Sequence, residues 1–89
     1  MSPILSMFYG IVVRMYYEKN SQHNLPHIHA KYQDHEVVLA LNGEIIEGGL
    51  PKGKMKLLDA WVEIHRDELE ANWEVYHSDG TYFKIKPLE

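Results

Sequence analysis

The alternation of apolar and polar positions divides the chain into a β-rich first half and a helical second half. Ile4 to Tyr17 is rich in β-branched and aromatic residues and reads as strand, with Gly10 expected to form a bulge or bend because glycine weakens a strand interior. From there Ile11, Val13 and Met15 fall on one face, and Val12, Arg14 and Tyr16 on the other. The polar stretch Glu18 to Pro26 reads as a loop. Pro26 holds Leu25 extended and cannot donate to a ladder, which suits the opening of the next strand.

His27 to Tyr32 alternates cleanly, with Ile28, Ala30 and Tyr32 expected to face the core and His27, His29 and Lys31 to face away from it. A short turn at Gln33, Asp34 and His35 leads into the apolar strand Glu36 to Leu41. Asn42-Gly43 matches a two-residue type I′ hairpin, since both central positions need positive φ, and Glu44 to Glu47 would return. These four strands form an antiparallel meander.

Past Gly48-Gly49 and Leu50-Pro51 the period changes. Leu58, Trp61, Val62, His65, Leu69, Asn72, Trp73 and Tyr76 recur at steps of three and four, which predicts one long amphipathic helix over Lys54 to His77. Two shorter helices broken near His65 to Asp67 are the alternative. Asp79-Gly80 ends the helix, and Thr81 to Lys86 resembles a last strand closed by Pro87. The expected class is α+β, a four-to-five-stranded antiparallel meander with the helix packed on one face.

Composition narrows this further. Eighty-nine residues, 45% of them hydrophobic and 25% charged, suit one small domain spanning 1–89. No apolar run approaches the roughly 18 residues of a membrane span. Met1-Ser2-Pro3 lacks the basic start and apolar stretch of a signal peptide, and the chain has no cysteine; a cytosolic location is the expectation. The net charge of −4 argues against non-specific coating of nucleic acid. Acidity concentrates at Asp59, Glu63, Asp67, Glu68, Glu70 and Glu74, which leaves room for a neutral or weakly basic face in the first half.

The candidate chemistry lies in His23-Asn24-Leu25-Pro26-His27-Ile28-His29. His27 and His29, two apart on a strand, project from one face with Cα atoms roughly 6.5 to 7 Å apart. They could meet on one zinc or another divalent transition metal, with His23 as third ligand and an open position for water. A second reading is metal-free acid–base chemistry on an RNA phosphodiester: His27 and His29 as base and acid, Arg14 and Lys31 stabilising phosphate charge, and Tyr16 stacking on a base. Both are set against an ordinary solvated strand face. No carboxylate motif accompanies the triplet; Glu18, Glu44 or Glu47 would have to be brought to it by folding.

Other residues read as structural. Trp61 and Trp73 anchor the helix in the core, His65 is a satisfied core histidine, and His77 favours the terminal carbonyls. Lys52, Lys54 and Lys56 near the helix start are most simply solvated.

Several blocks resemble a small bacterial family catalogued as domain of unknown function 4160. They are Ile4-Leu5-Ser6-Met7-Phe8-Tyr9-Gly10-Ile11, His23-Asn24-Leu25-Pro26-His27-Ile28-His29-Ala30, Glu47-Gly48-Gly49-Leu50-Pro51, Asn72-Trp73 and Lys84-Ile85-Lys86-Pro87-Leu88. The likeness runs along essentially the whole chain; Leu25 departs from it where the family usually has a second proline. Members resemble components of toxin–antitoxin pairs. The resemblance therefore implies a small cognate protein partner and an RNA-directed toxic activity. Three readings stand: a module component working through the histidine face, a metal-dependent hydrolase or metal-free ribonuclease, and a structural interaction module that acts through a sheet edge or a homodimer interface.

Overall fold

In a computed structural model that describes residues 3–16 and 25–89, the first half of the chain is a five-stranded antiparallel sheet in sequential order. The strands are β1 (Ile4–Phe8), β2 (Ile11–Arg14), β3 (His27–Tyr32), β4 (His35–Ala40) and β5 (Ile45–Gly48). Two helices follow, α1 (Lys52–Ile64) and α2 (Arg66–Asp79). The fold is α+β.

Four expectations need correction. The long strand expected over Ile4 to Tyr17 is two strands, because the chain reverses at Tyr9-Gly10, where both residues have positive φ (50° and 82°). Those angles suit a tight hairpin turn with the twist of its strands. A β-carbon on Gly10 would press on the Tyr32 ring, and Lys54 pins the turn by donating to the Tyr9 carbonyl at 2.8 Å while lying over that ring.

The Asn42-Gly43 turn is not type I′. Only Gly43 has positive φ, Gly43 N–H donates to the Ala40 carbonyl, and Ala40 N–H donates to the Glu44 carbonyl. This is the three-residue loop with a glycine bulge, and the Asn42 side chain stabilises it by accepting from Glu44 N–H at 2.9 Å.

The third correction concerns the second half, where the one long helix is two, as in the alternative with a break near His65 to Asp67. His65, at φ −108° and ψ 22°, separates α1 from α2. It is a polar member of the apolar stripe. Its imidazole bonds Glu68 instead of filling the core, and Asp67 and Glu68 in the first turn of α2 suit the positive end of the new helix.

Thr81 to Lys86 likewise forms no strand. Residues 81–89 run as an extended strap held mainly by side chains. The Asn72 amide donates to the Phe83 carbonyl and accepts from Phe83 N–H, both at 2.9 Å. Trp61 Nε1 donates to the Lys86 carbonyl at 2.9 Å.

The core lies between sheet and helices. Leu5, Phe8, Ile11, Val13, Met15, Ile28, Ala30, Val37 and Leu39 supply the sheet side; Leu58, Trp61, Val62 and Leu69 supply the helices; Ile85 enters from the strap. Trp61 is the fully buried anchor expected of it, with its ring 5.2 Å from that of Phe8. Trp73 is half-buried at the margin of this core.

Candidate functional site at the outer face of the sheet

Strand register fixes which side chains can meet. Arg14 pairs with His29, His29 with Val38, and Val38 with Glu47, so these residues form one row across β2 to β5 on a single face. Val12, Lys31 and Glu36 form the next row. The inner row is Val13, Ala30 and Val37, which belongs to the core. His27, His29 and Lys31 therefore share the outer face, as the alternation predicts.

The two histidines differ sharply in environment. Pro26, unable to donate, still accepts from Leu41 N–H at 2.9 Å and so starts the ladder. His27 is fully buried. Its Nδ1 lies 2.7 Å from the Leu25 carbonyl. A carbonyl only accepts, so Nδ1 carries the proton. The Trp73 ring closes over this imidazole at 5.0 Å between centroids. Trp73 in turn stacks on His77 at 3.9 Å, and His77 Nδ1 donates to the Trp73 carbonyl at 2.9 Å, one turn back along α2. Alternation put His27 on the correct side of the strand; it did not show that α2 covers that end of the face.

His29 sits at the open end of the pair. Its ring lies 5.4 Å from that of His27 and 4.2 Å from that of Tyr16. Its Nδ1 is 3.9 Å from Glu36 Oε2, and its side chain keeps 14% of its surface exposed. Tyr16, His29, Glu36, Val38, Glu47 and Gly48 line a cleft of about 290 Å³. Gly48 shapes it. At φ 73° a β-carbon would drive into the Glu36 carbonyl, which also accepts from Gly49 N–H at 3.0 Å. The close approach of β5 to β4 thus sets where the Glu36 and Glu47 side chains emerge.

The fold thus brings together Tyr16, His29 and the position of Arg14, and places His27 directly behind them. His23 lies outside the described residues. Among the described residues no group of three histidine, cysteine or acidic side chains converges in a way that could hold a metal ion. Glu36 is the functional candidate that sequence reasoning missed; the available signal was the tight turn at Gln33-Asp34, which sets Lys31 opposite Glu36. Glu47 was foreseen as a residue folding would have to deliver, and it lies in the cleft.

His65 and His77 serve structure. His65 bonds Glu68 at 2.5 Å and packs its ring 5.5 Å from Trp61. No helix among the described residues is long and apolar enough to cross a membrane.

Residues 10–74 match the family model described as domain of unknown function (DUF4160). The chain belongs to the DUF4160 family. No curated protein and no solved structure matches it. In this DUF4160 chain the matched span begins at the Gly10 turn, runs through the His27–His29 strand and the cleft, and reaches the helix that carries Trp73.

Proposed function

We propose that this DUF4160 protein is a cytosolic, RNA-directed component of a toxin–antitoxin type module, and that the His29 cleft is its working site. The observation that carries the chemical part is the pairing of an imidazole with a carboxylate, His29 with Glu36 at 3.9 Å, in a cleft walled by a tyrosine ring. The resemblance to components of such modules supports the biological part.

Cleavage of RNA by attack of its own 2′-hydroxyl needs a base to take the hydroxyl proton and an acid to protonate the departing 5′-oxygen. A carboxylate and an imidazolium suit those roles. In this reading Glu36 is the base and His29 the acid. Arg14, opposite His29 in the ladder, neutralises the phosphate. Tyr16 offers a face on which an unpaired base can stack. His27, sealed behind Trp73, does not meet the substrate; its ring backs His29 and holds it in place.

The test is expression in a bacterial host together with cleavage of a fluorescent RNA oligonucleotide. His29→Ala and Glu36→Gln should each relieve growth inhibition and lower cleavage about 10² to 10⁴-fold, the range of one acid–base group. The wild type should show a bell-shaped dependence of rate on pH. Growth inhibition that persists in both folded variants would rule this site out.

A further inference from the structure

We infer that the opposite edge of the sheet, along β1, is a docking groove for an extended, acidic segment of a partner protein. This surface does not depend on the His29 cleft. β1 is an edge strand, paired with β2 on one side only. On its other side the strap lies alongside it, yet among the described residues one backbone bond joins them, from Ile85 N–H to the Leu5 carbonyl at 2.9 Å. Beyond that bond the two segments part around a groove of about 400 Å³, lined by Ile4 to Met7 and by Lys84 to Pro87.

Two features specify the occupant. The first is shape and backbone: a strand edge not fully paired is a template for an added strand, which gains affinity from main-chain hydrogen bonds and specificity from alternate side chains. Met7, 60% exposed, pairs with Val12 on the outer face and offers an apolar contact beside the edge. The second is charge. The groove lining holds Lys84 and Lys86 and no carboxylate, in a chain of net charge −4. Lys86 is met by Glu89 at 3.4 Å in a solvent-exposed pair, which a partner carboxylate can replace at little cost. The complementary ligand is therefore a strand with alternating aliphatic and acidic side chains.

The experiment titrates ¹⁵N-labelled full-length protein with a capped hexapeptide of alternating valine and glutamate, and with its valine–lysine counterpart. The glutamate peptide should shift the amides of residues 4–7 and 84–86 in a saturable way. The double variant Lys84→Glu/Lys86→Glu, altered at two exposed side chains, should melt like the wild type and bind at least tenfold more weakly. Absence of shifts at millimolar peptide, equal binding of the lysine peptide, or shifts confined to the His29 cleft would each overturn the proposal. So would movement of the same amides with protein concentration alone, which identifies a second copy of the chain as the occupant.

Discussion

The two faces of β3 share one backbone and differ in what covers them. On the inner face Ile28 and Ala30 are sealed in the apolar core, with Tyr32 partly buried at the strand end. On the outer face burial declines along the strand, from fully buried His27 through half-buried His29 to exposed Lys31. The apolar face stabilises the fold, whereas the polar face selects one histidine for contact with solutes and holds its neighbour as backing. The chemistry of the strand is thus set by what covers each position, since the two imidazoles are identical in kind.

Mutations separate the faces. Ile28→Ala should cost about 2 to 5 kcal/mol, the range for truncating a sealed aliphatic side chain, read by urea denaturation. Trp73→Ala should cost less, about 2 to 3 kcal/mol, because the ring is half-buried. Its sharper readout is hydrogen–deuterium exchange at the imidazole C2 position: His27 should exchange far more slowly than His29 in the wild type and nearly as fast in the variant. Equal exchange in the wild type would remove the gradient.

Gly48→Ala tests whether the cleft depends on the close approach of β5 and β4. It should destabilise by at least about 1 kcal/mol, since a β-carbon there is strained at positive φ and collides with the Glu36 backbone, and it should reduce any activity of Glu36 alongside. His29→Ala should change stability by less than about 1 kcal/mol. A cost matching that of Ile28→Ala would make the outer face a core face like the inner one.

The smallest effect lies far from both faces. The hydrogen bonds from Thr81, its side chain first and its backbone N–H next, hold the exposed Asp79 below the usual aspartate value of 3.8. A depressed folded-state value means that the ionised form supports the turn above the unfolded value and that this support is lost as pH falls through the folded one. The Thr81 amide resonance should therefore move on acidification below about pH 4, with β3 resonances unchanged over the same step.

The alternation of β3, the apolar run of β4 and the apolar stripe from Leu58 to Trp73 were legible because each follows a single pattern. Tyr9-Gly10 was not, since tyrosine rarely occupies a positive-φ turn position and the strong hairpin signals are asparagine or aspartate before glycine. Thr81 to Lys86 has the composition of a strand; its backbone partners are mostly the side chains of Asn72 and Trp61, which no strand pattern encodes. In the site, spacing placed His27 and His29 on one face. The cover supplied by Trp73 and the arrival of Glu36 depend on helix placement and on hairpin register, both long-range properties.

The clamp between Asn72 and Phe83 has a consequence for the order in which the molecule closes. A carboxamide presents a donor and an acceptor in one plane, as a peptide group does, so a single side chain stands in for a neighbouring strand. Apart from the bond of Ile85 to the Leu5 carbonyl of β1, residues 81–89 gain their grip only once α2 has brought Asn72 to its buried position and α1 has brought Trp61 to its own. Residues 81–89 act as a latch that engages after the helices seat, and their susceptibility to proteolysis reports that seating.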